Sequence, residues 1–128
     1  MRPPQHAKAS IRVENERGEL IGEVGWMAVQ HGPSRACRAL NIGIGLLPEA
    51  RGHGYGTLAQ AALATYLFDH TLVERLEAST DIENIAEQRA LERAGFHREG
   101  VMRHAQFRNG QWRDAVMYSR LRSDSPPD

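Results

Sequence analysis

Apolar and polar positions alternate along the first third of the chain, a pattern typical of β-strands with one buried face. Ile11 and Val13 alternate with polar residues before a turn cluster at 15–18, and a second alternating segment follows at 20–29. These two segments predict a β-hairpin. A clean period-two stripe then predicts a third strand, which ends at Pro48; its apolar positions are Leu40, Ile42, Ile44 and Leu46.

The second half of the chain mixes helical and strand patterns. Apolar residues recur at helical spacing up to about Asp69 and predict a first helix; they are Leu58, Ala62, Leu63, Tyr66 and Leu67. A short strand is predicted at 75–79. A second helix is predicted at 84–94, because Asn84 can cap its start and Gly95 can end it. The last two strands, 100–108 and 111–121, flank Asn109-Gly110, a strong hairpin signal.

Together these elements give the order β-β-β-α-β-α-β-β, which predicts an α+β fold with helices packed on a sheet. No internal repeat or linker divides the chain. We therefore expect a single domain over residues 9–122. A loose arm is expected at 1–8, where Pro3 and Pro4 stand without periodicity, and a polar tail at 123–128.

Composition excludes several function classes. With 128 residues, 41% apolar and 25% charged, the chain is typical of one ordinary globular domain. Its 16 basic and 16 acidic residues cancel, so no global field attracts nucleic acid or a membrane. Cys37 is the single cysteine and we interpret it as a packing residue. The histidines show no metal-site spacing, and no long apolar run is present, so we expect no metal and a cytoplasmic location.

The most informative motif is the glycine-rich segment 48–57, between a predicted strand and a predicted helix. Alternating Gly52, Gly54 and Gly56 let several main-chain N–H groups turn into one concavity. The following helix adds free N-terminal donors and a positive dipole end. Arg51 adds a permanent forked charge that suits phosphate. The segment predicts a phosphate or pyrophosphate cradle; the alternative is a strand-to-helix turn that uses glycine only for tight geometry.

Two common phosphate loops do not fit this spacing. A P-loop requires Lys-Ser or Lys-Thr after its last glycine, but Thr57-Leu58 stands there. The dinucleotide fingerprint requires a third glycine where Thr57 stands. Gly43 and Gly45 inside the third strand leave two interpretations open. Either the strand kinks near 43–46 and exposes main-chain groups to an amide-bearing ligand, or it carries a bulge packed under the first helix.

Two segments of the sequence resemble the signatures of a known family. Arg51-Gly52-His53-Gly54-Tyr55-Gly56 is similar to the (Gln/Arg)-x-x-Gly-x-(Gly/Ala) signature of the GNAT N-acetyltransferase superfamily. Segment 84–96, in which Asn84 opens a helix that ends in Gly-Phe, resembles its second signature. Segments 99–103 and 114–118 resemble the ribosomal-protein-alanine and polyamine acetyltransferase branch. The resemblance covers roughly 20–121 and implies a GNAT-like mixed, mostly antiparallel sheet flanked by helices.

The resemblance also implies an activity and a cosubstrate. It implies an acyltransferase that moves an acetyl group from acetyl-CoA to a primary amine by direct attack. The amine could be a protein N-terminus, a polyamine or a small aminated metabolite. The strand would pair with pantetheine, the loop would hold the pyrophosphate, and Asn84 would bond near the pantetheine arm unless it is a plain helix cap. The implied coenzyme residues are Ile44, Gly45, Leu46, Arg51, Gly52, His53, Gly54, Tyr55, Gly56, Thr57 and Asn84.

The catalytic positions of the family are not matched. Asn41 stands where this branch often carries a strand glutamate, and an amide cannot accept a proton at neutral pH. Glu87 and Leu91 occupy the two positions where a serine or tyrosine often protonates the leaving thiolate. Glu87 is the catalytic candidate if burial raises its pKa; the alternative is an ionised, solvated carboxylate near a helix start. His97 and His104 are alternative bases, or simply surface histidines.

The start of the chain is a second departure. Family members usually carry a strand and two helices before the first hairpin, whereas a short arm precedes Ile11 here. A partner chain, an open acceptor cleft or a shortened chain are the explanations left open, and exposed edges and faces predict a homodimer. Trp26, Phe107 and Trp112 predict either an acceptor pocket or hairpin packing.

Two other functions compete with acetyl transfer. One is a non-catalytic coenzyme A-binding module, acting as a sensor or partner subunit, which the residues at positions 41, 87 and 91 favour. The other is a nucleotide-phosphate binder that uses the same cradle.

Overall fold

A computed structural model describes residues 8–126 and contains the elements in the predicted order. The α+β fold is therefore confirmed. The predicted arm lies outside the described residues except for Lys8, which begins the first strand, and the tail is described only to residue 126. The elements are β1 (Lys8–Glu14), β2 (Leu20–Gln30), β3 (Arg38–Leu46), α1 (Tyr55–His70), β4 (Arg75–Asp81), α2 (Ile85–Arg93), β5 (His97–Arg108) and β6 (Gln111–Leu121).

The strands form one sheet that parts in its middle. The strand order is β1-β2-β3-β4-β6-β5, and all neighbours are antiparallel except β3 and β4. These two run parallel and pair only at Leu40–Leu76 and Asn41–Glu77. Beyond these pairs, β3 residues 42–46 have no partner on the β4 side. We call this opening the β3–β4 gap.

The gap does not come from a bulge in β3. Pairing between β2 and β3 runs without a register shift from Gln30–Arg38 to Gly22–Leu46. The bulge considered from the sequence is therefore wrong. Leu47 N–H donates to the Ile21 carbonyl at 2.8 Å, so alternate β3 residues direct their main-chain groups to β2. By the same alternation the main-chain groups of Ile44 and Leu46 are directed into the gap, and those of Gly45 towards β2.

Both helices pack on one face of the sheet and share a single core. Leu63 and Leu67 of α1 and Leu91 of α2 pack with Leu76 and Tyr118 of the sheet. Apolar side chains from both helices meet there because each helix must bury one stripe. No helix in residues 8–126 covers the opposite face, which we call the open face. It carries Glu23, Gly25, Met27, Asn41, Gly43, Gly45, Glu77 and Ser79.

The buried face of α1 differs from the predicted one. The sequence placed Leu58 and Tyr66 on the apolar stripe, but they are 67% and 41% exposed. The buried residues of this helix are Gln60, Leu63, Ala64 and Leu67. A polar residue can occupy the buried stripe because the Gln60 amide donates to the Gly56 carbonyl and to Glu87. Neither helix in the described range is long and apolar enough to cross a membrane.

The two leucines of α1 provide a test of this face. Leu67 is 1% exposed and Leu58 is 67% exposed. We expect Leu67→Ala to lower the free energy of unfolding by about 2–5 kcal/mol, because it leaves a cavity in the core. Leu58→Ala should change it by no more than about 0.5 kcal/mol. Urea denaturation measures both, and similar losses would contradict the assigned face.

Candidate functional site

The segment that joins β3 to α1 uses its three glycines in two ways. Gly52 and Gly54 have φ angles of 80° and 81°, in the left-handed region that glycine adopts without a Cβ penalty. A Cβ added to either residue would meet no atom within 4 Å, so both positions border open space. At Gly56 an added Cβ would instead lie 3.8 Å from the Ala90 Cβ. This is an ordinary contact distance, so Gly56 marks the place where the first turn of α1 approaches α2.

The main-chain amides of this loop are largely free. Arg51 N–H donates to the Pro48 carbonyl at 3.3 Å, and the next N–H with a backbone acceptor is that of Leu58, bonded to Gly54 at 3.2 Å. Within residues 8–126, the N–H groups of residues 52–57 have no hydrogen-bond acceptor. Free donors at the positive end of a 16-residue helix are suited to an anion. The free main-chain donors of the predicted cradle are therefore those of residues 52–57, and the N–H of residue 51 is not among them.

The side chains of the loop have separate roles. Arg51 is exposed, and its Nε donates to the Leu46 carbonyl at 3.3 Å, which holds the guanidinium between the loop and the β3–β4 gap. Tyr55 donates its hydroxyl to Glu16 at 3.2 Å and thereby ties the loop to the β1–β2 turn. His53 is exposed, with its ring centroid 6.1 Å from that of Tyr55. Among the side chains of residues 48–57, Arg51 is the one that carries a permanent positive charge.

The start of α2 lies against the second turn of α1. Asn84 Oδ1 accepts the Glu87 N–H at 3.2 Å, so the predicted helix cap is present. The Asn84 side-chain NH2 group has no acceptor within the described residues and remains a free donor. A link between the two helices is made by Gln60, whose Nε2 donates to Glu87 Oε1 at 3.2 Å. Gly56, Gln60 and Glu87 are thus brought together next to the loop.

Glu87 is half-buried and does not have the fully solvated environment weighed as the alternative. Burial raises the pKa of Glu87, and the hydrogen bond from Gln60 acts in the opposite direction.

Sequence reasoning missed Gln60, which is 1% exposed and whose Oε1 has no hydrogen-bond partner in the described residues. Its one sequence signal is its helical spacing from Leu63 and Leu67. Leu91 is fully buried in the core and contributes packing only.

Asn41 lies on the open face where the β3–β4 gap begins. Its neighbour across the strands is Glu77, which is 3% exposed and accepts a hydrogen bond from Arg75 Nε at 2.7 Å. Glu77 also contacts the ring of His31, which follows β2. His31 and Glu77 are 46 positions apart, so no local pattern in the sequence connects them.

A groove of about 370 Å³ runs over the open face beside the gap. Three strand glycines line it, namely Gly25, Gly43 and Gly45. Its lining also includes Glu23, Met27 and Asn41. Gly43 and Gly45 therefore shape a surface and do not mark a bulge. Trp26 borders the groove while it also packs against the core.

The remaining aromatic and histidine candidates lie elsewhere. Phe107 and Trp112 are 62% and 57% exposed on the β5–β6 hairpin, and His104 stacks on Trp112 at 6.2 Å. His97 lies on β5, 3.7 Å from Asp124. These residues do not line the groove.

Comparison with known proteins identifies the family. The profile described as "Acetyltransferase (GNAT) domain" matches residues 3–97. The chain is also 33% identical over 105 residues to "Probable N-acetyltransferase YjcK" of Bacillus subtilis (strain 168), which covers 82% of this chain and 56% of that protein. The chain belongs to the GNAT acetyltransferase family. The resemblance predicted from the two signatures is confirmed, and this GNAT domain spans about half the length of that curated relative.

Solved structures support the same fold. A spermidine N-acetyltransferase from Vibrio cholerae, in complex with CoA and spermine, superposes with a TM-score of 0.80 at 24% identity. The match covers 92% of this GNAT domain and 68% of that chain. A ribosomal-protein-S5-alanine acetyltransferase from Vibrio fischeri gives a TM-score of 0.74 at 24% identity, with coverage of 87% and 59%. At this identity the likeness concerns the fold.

The loop of this GNAT domain can be tested with a matched pair of glycine substitutions. Gly54→Val places a β-branched side chain at φ 81° beside the free amides, and Gly110→Val places one at φ 76° in the β5–β6 turn. Both add backbone strain in open space. We expect Gly54→Val to weaken coenzyme A binding at least about tenfold, or about 1.4 kcal/mol. Gly110→Val should leave it unchanged. Calorimetry measures both, and equal affinities would remove the loop from the site.

Proposed function

We propose that this GNAT domain binds acetyl-CoA and transfers its acetyl group to a primary amine. The observation that carries the proposal is the row of free amides at 52–57, at the positive end of α1 and beside Arg51. A pyrophosphate can accept hydrogen bonds from many donors and interacts favourably with the helix dipole. The same amides would otherwise depend on water alone.

The β3–β4 gap would receive the pantetheine arm. Its amides can pair with the main-chain groups that Ile44 and Leu46 direct into the gap, as an added strand does. The free edge from Ile42 to Leu46 is about 14 Å long at the usual rise per strand residue. Gly45 directs its main-chain groups to β2, so its contribution would be the missing side chain. The free amide of Asn84 is a further donor for the arm.

The acceptor amine would approach from the open face, because the helices and the core fill the other face of the sheet. In direct attack the amine nitrogen bonds to the thioester carbon, the C–S bond breaks, and the thiolate takes up a proton. Holding the amine against the thioester supplies a large part of the rate. Glu87 is suited to deliver the proton to the thiolate, because burial favours its neutral form.

The names of related proteins support more than one class of acceptor amine. One structural neighbour is named a spermidine acetyltransferase and another a ribosomal-protein alanine acetyltransferase. We therefore keep protein N-termini, polyamines and small aminated metabolites as the acceptor classes. Assembly into a homodimer remains a prediction; the outer strand β5 leaves Val101 42% exposed and Met102 36% exposed.

Turnover with a panel of amines tests the proposal. The panel contains an N-terminal peptide, a polyamine and an amino sugar, and release of free coenzyme A thiol is measured with acetyl-CoA. We expect thiol release that depends on at least one amine class, with acetylated amine formed in equal amount. Coenzyme A binding without amine-dependent thiol release would reject the transferase and leave a binding module.

Glu87 can be tested as the proton donor. Glu87→Gln keeps the size of the side chain and its contact with Gln60, but it cannot give up a proton. We expect kcat to fall about 100-fold or more, as for the loss of a general acid. Coenzyme A affinity and the free energy of unfolding should stay the same. Full activity would show that the Glu87 side chain only links the helices through Gln60.

A further inference from the structure

The transfer proposed above requires a proton acceptor for the incoming amine. Strongly basic primary amines are protonated near neutral pH, and an ammonium nitrogen has no lone pair with which to attack. Asn41, at the start of the β3–β4 gap, cannot accept this proton. Glu87 lies between the helices, whereas the amine would arrive from the open face. The acceptor of the proton should therefore be an open-face group near Asn41.

Glu77 and His31 form such a group. Glu77 pairs with Asn41 at the last position where β3 and β4 are joined, so both side chains lie on the open face beside the gap. The Glu77 side chain is only 4% exposed, and its Oε2 contacts His31 Nε2. The His31 side chain is 52% exposed. A buried carboxylate thus holds an imidazole whose other edge faces solvent.

Arg75 also holds the Glu77 side chain, and Arg75 is itself fixed by Glu99. Arg75 Nε donates to Glu77 at 2.7 Å, and its two terminal nitrogens donate to Glu99 at 2.7 and 2.6 Å. Ser119 also donates to Glu99, at 2.8 Å. Arg75 lowers the pKa of Glu99 to about 2. The charge of Arg75 is thereby shared between two carboxylates, and the carboxylate of Glu77 remains available to His31.

This contact determines which ring nitrogen can act as a base. A carboxylate accepts a hydrogen bond and cannot donate one, so Nε2 of neutral His31 carries the proton and donates it to Glu77. The lone pair is then on Nδ1, which has no hydrogen-bond partner within residues 8–126. A ring nitrogen with a free lone pair can accept a proton, as a general base must. The charged groups linked to the ring are Glu77, which contacts it, then Arg75 on β4, which bonds to Glu77, and Glu99 on β5, which bonds to Arg75.

We propose that Nδ1 of His31 removes the proton from the acceptor ammonium, directly or through one water, and that Glu77 positions the ring. The neutral amine then forms the C–N bond as the C–S bond breaks. The second amine proton is lost after attack, and the thiolate takes up one proton to become coenzyme A thiol. The half-exposed imidazolium returns its proton to solvent. This inference rests on the proposed function.

Two amines of different basicity separate a base from a structural residue. His31→Gln keeps a donor for Glu77 but has no basic nitrogen. With a strongly basic alkylamine at neutral pH, we expect kcat/KM to fall about 100-fold. With a weakly basic primary amine such as aminoacetonitrile, which is largely neutral already, the loss should be less than about threefold. The two results together would support the assignment.

The matched control is His70→Gln, which changes a histidine at the end of α1, stacked on Tyr66 at 4.3 Å. It should leave both rates unchanged. Glu77→Gln should give the same dependence on amine basicity, with a smaller loss, because the ring would be less firmly positioned. A His31→Gln loss that is equal for the two amines, or no loss at all, would overturn the proposal. A wild-type chain that acetylates no amine would instead reject the proposed function, and the role of His31 with it.

Discussion

The divergence of β3 from β4 is the constraint on which the rest of this structure depends. The two strands pair at only two positions, so main-chain groups in the middle of the sheet have no neighbouring strand on one side. Buried main-chain groups normally find hydrogen-bond partners, and unpaired ones are costly. One of them, the Leu46 carbonyl, accepts a hydrogen bond from Arg51. The others are available to a ligand that carries amides.

The glycine loop adds free main-chain donors to the unpaired main-chain groups of the gap. Gly52 and Gly54 supply left-handed backbone in open space, and the amides of residues 52–57 have no acceptors in the described residues. A pyrophosphate at the start of α1 and an amide-bearing arm in the gap would then be satisfied by adjoining parts of the backbone. Recognition of this kind would depend on main-chain geometry more than on neighbouring side chains such as His53.

Proton transfer, in contrast to coenzyme binding, would depend on side chains. Asn41 at the start of the gap cannot accept a proton, and Leu91 only packs in the core. In their place the fold brings together two pairs of side chains from separate elements. Gln60 and Glu87 are 27 positions apart, and His31 and Glu77 are 46 positions apart. One pair lies on the helix side of the sheet and the other on the open face, so donation and removal of protons would occur on opposite sides of the gap.

The sequence by itself determined the element order, the glycine loop, the Asn84 cap and the family, because each depends on residues within a few positions of one another. Strand alternation, helix capping and left-handed turns are local effects. Only the tertiary structure decided that Gln60 is buried while Leu58 is exposed, that Gly43 and Gly45 floor a groove, and that His31 meets Glu77. Those outcomes depend on which strands become neighbours and where they part, and no local pattern in the chain encodes the distance at which two such segments meet.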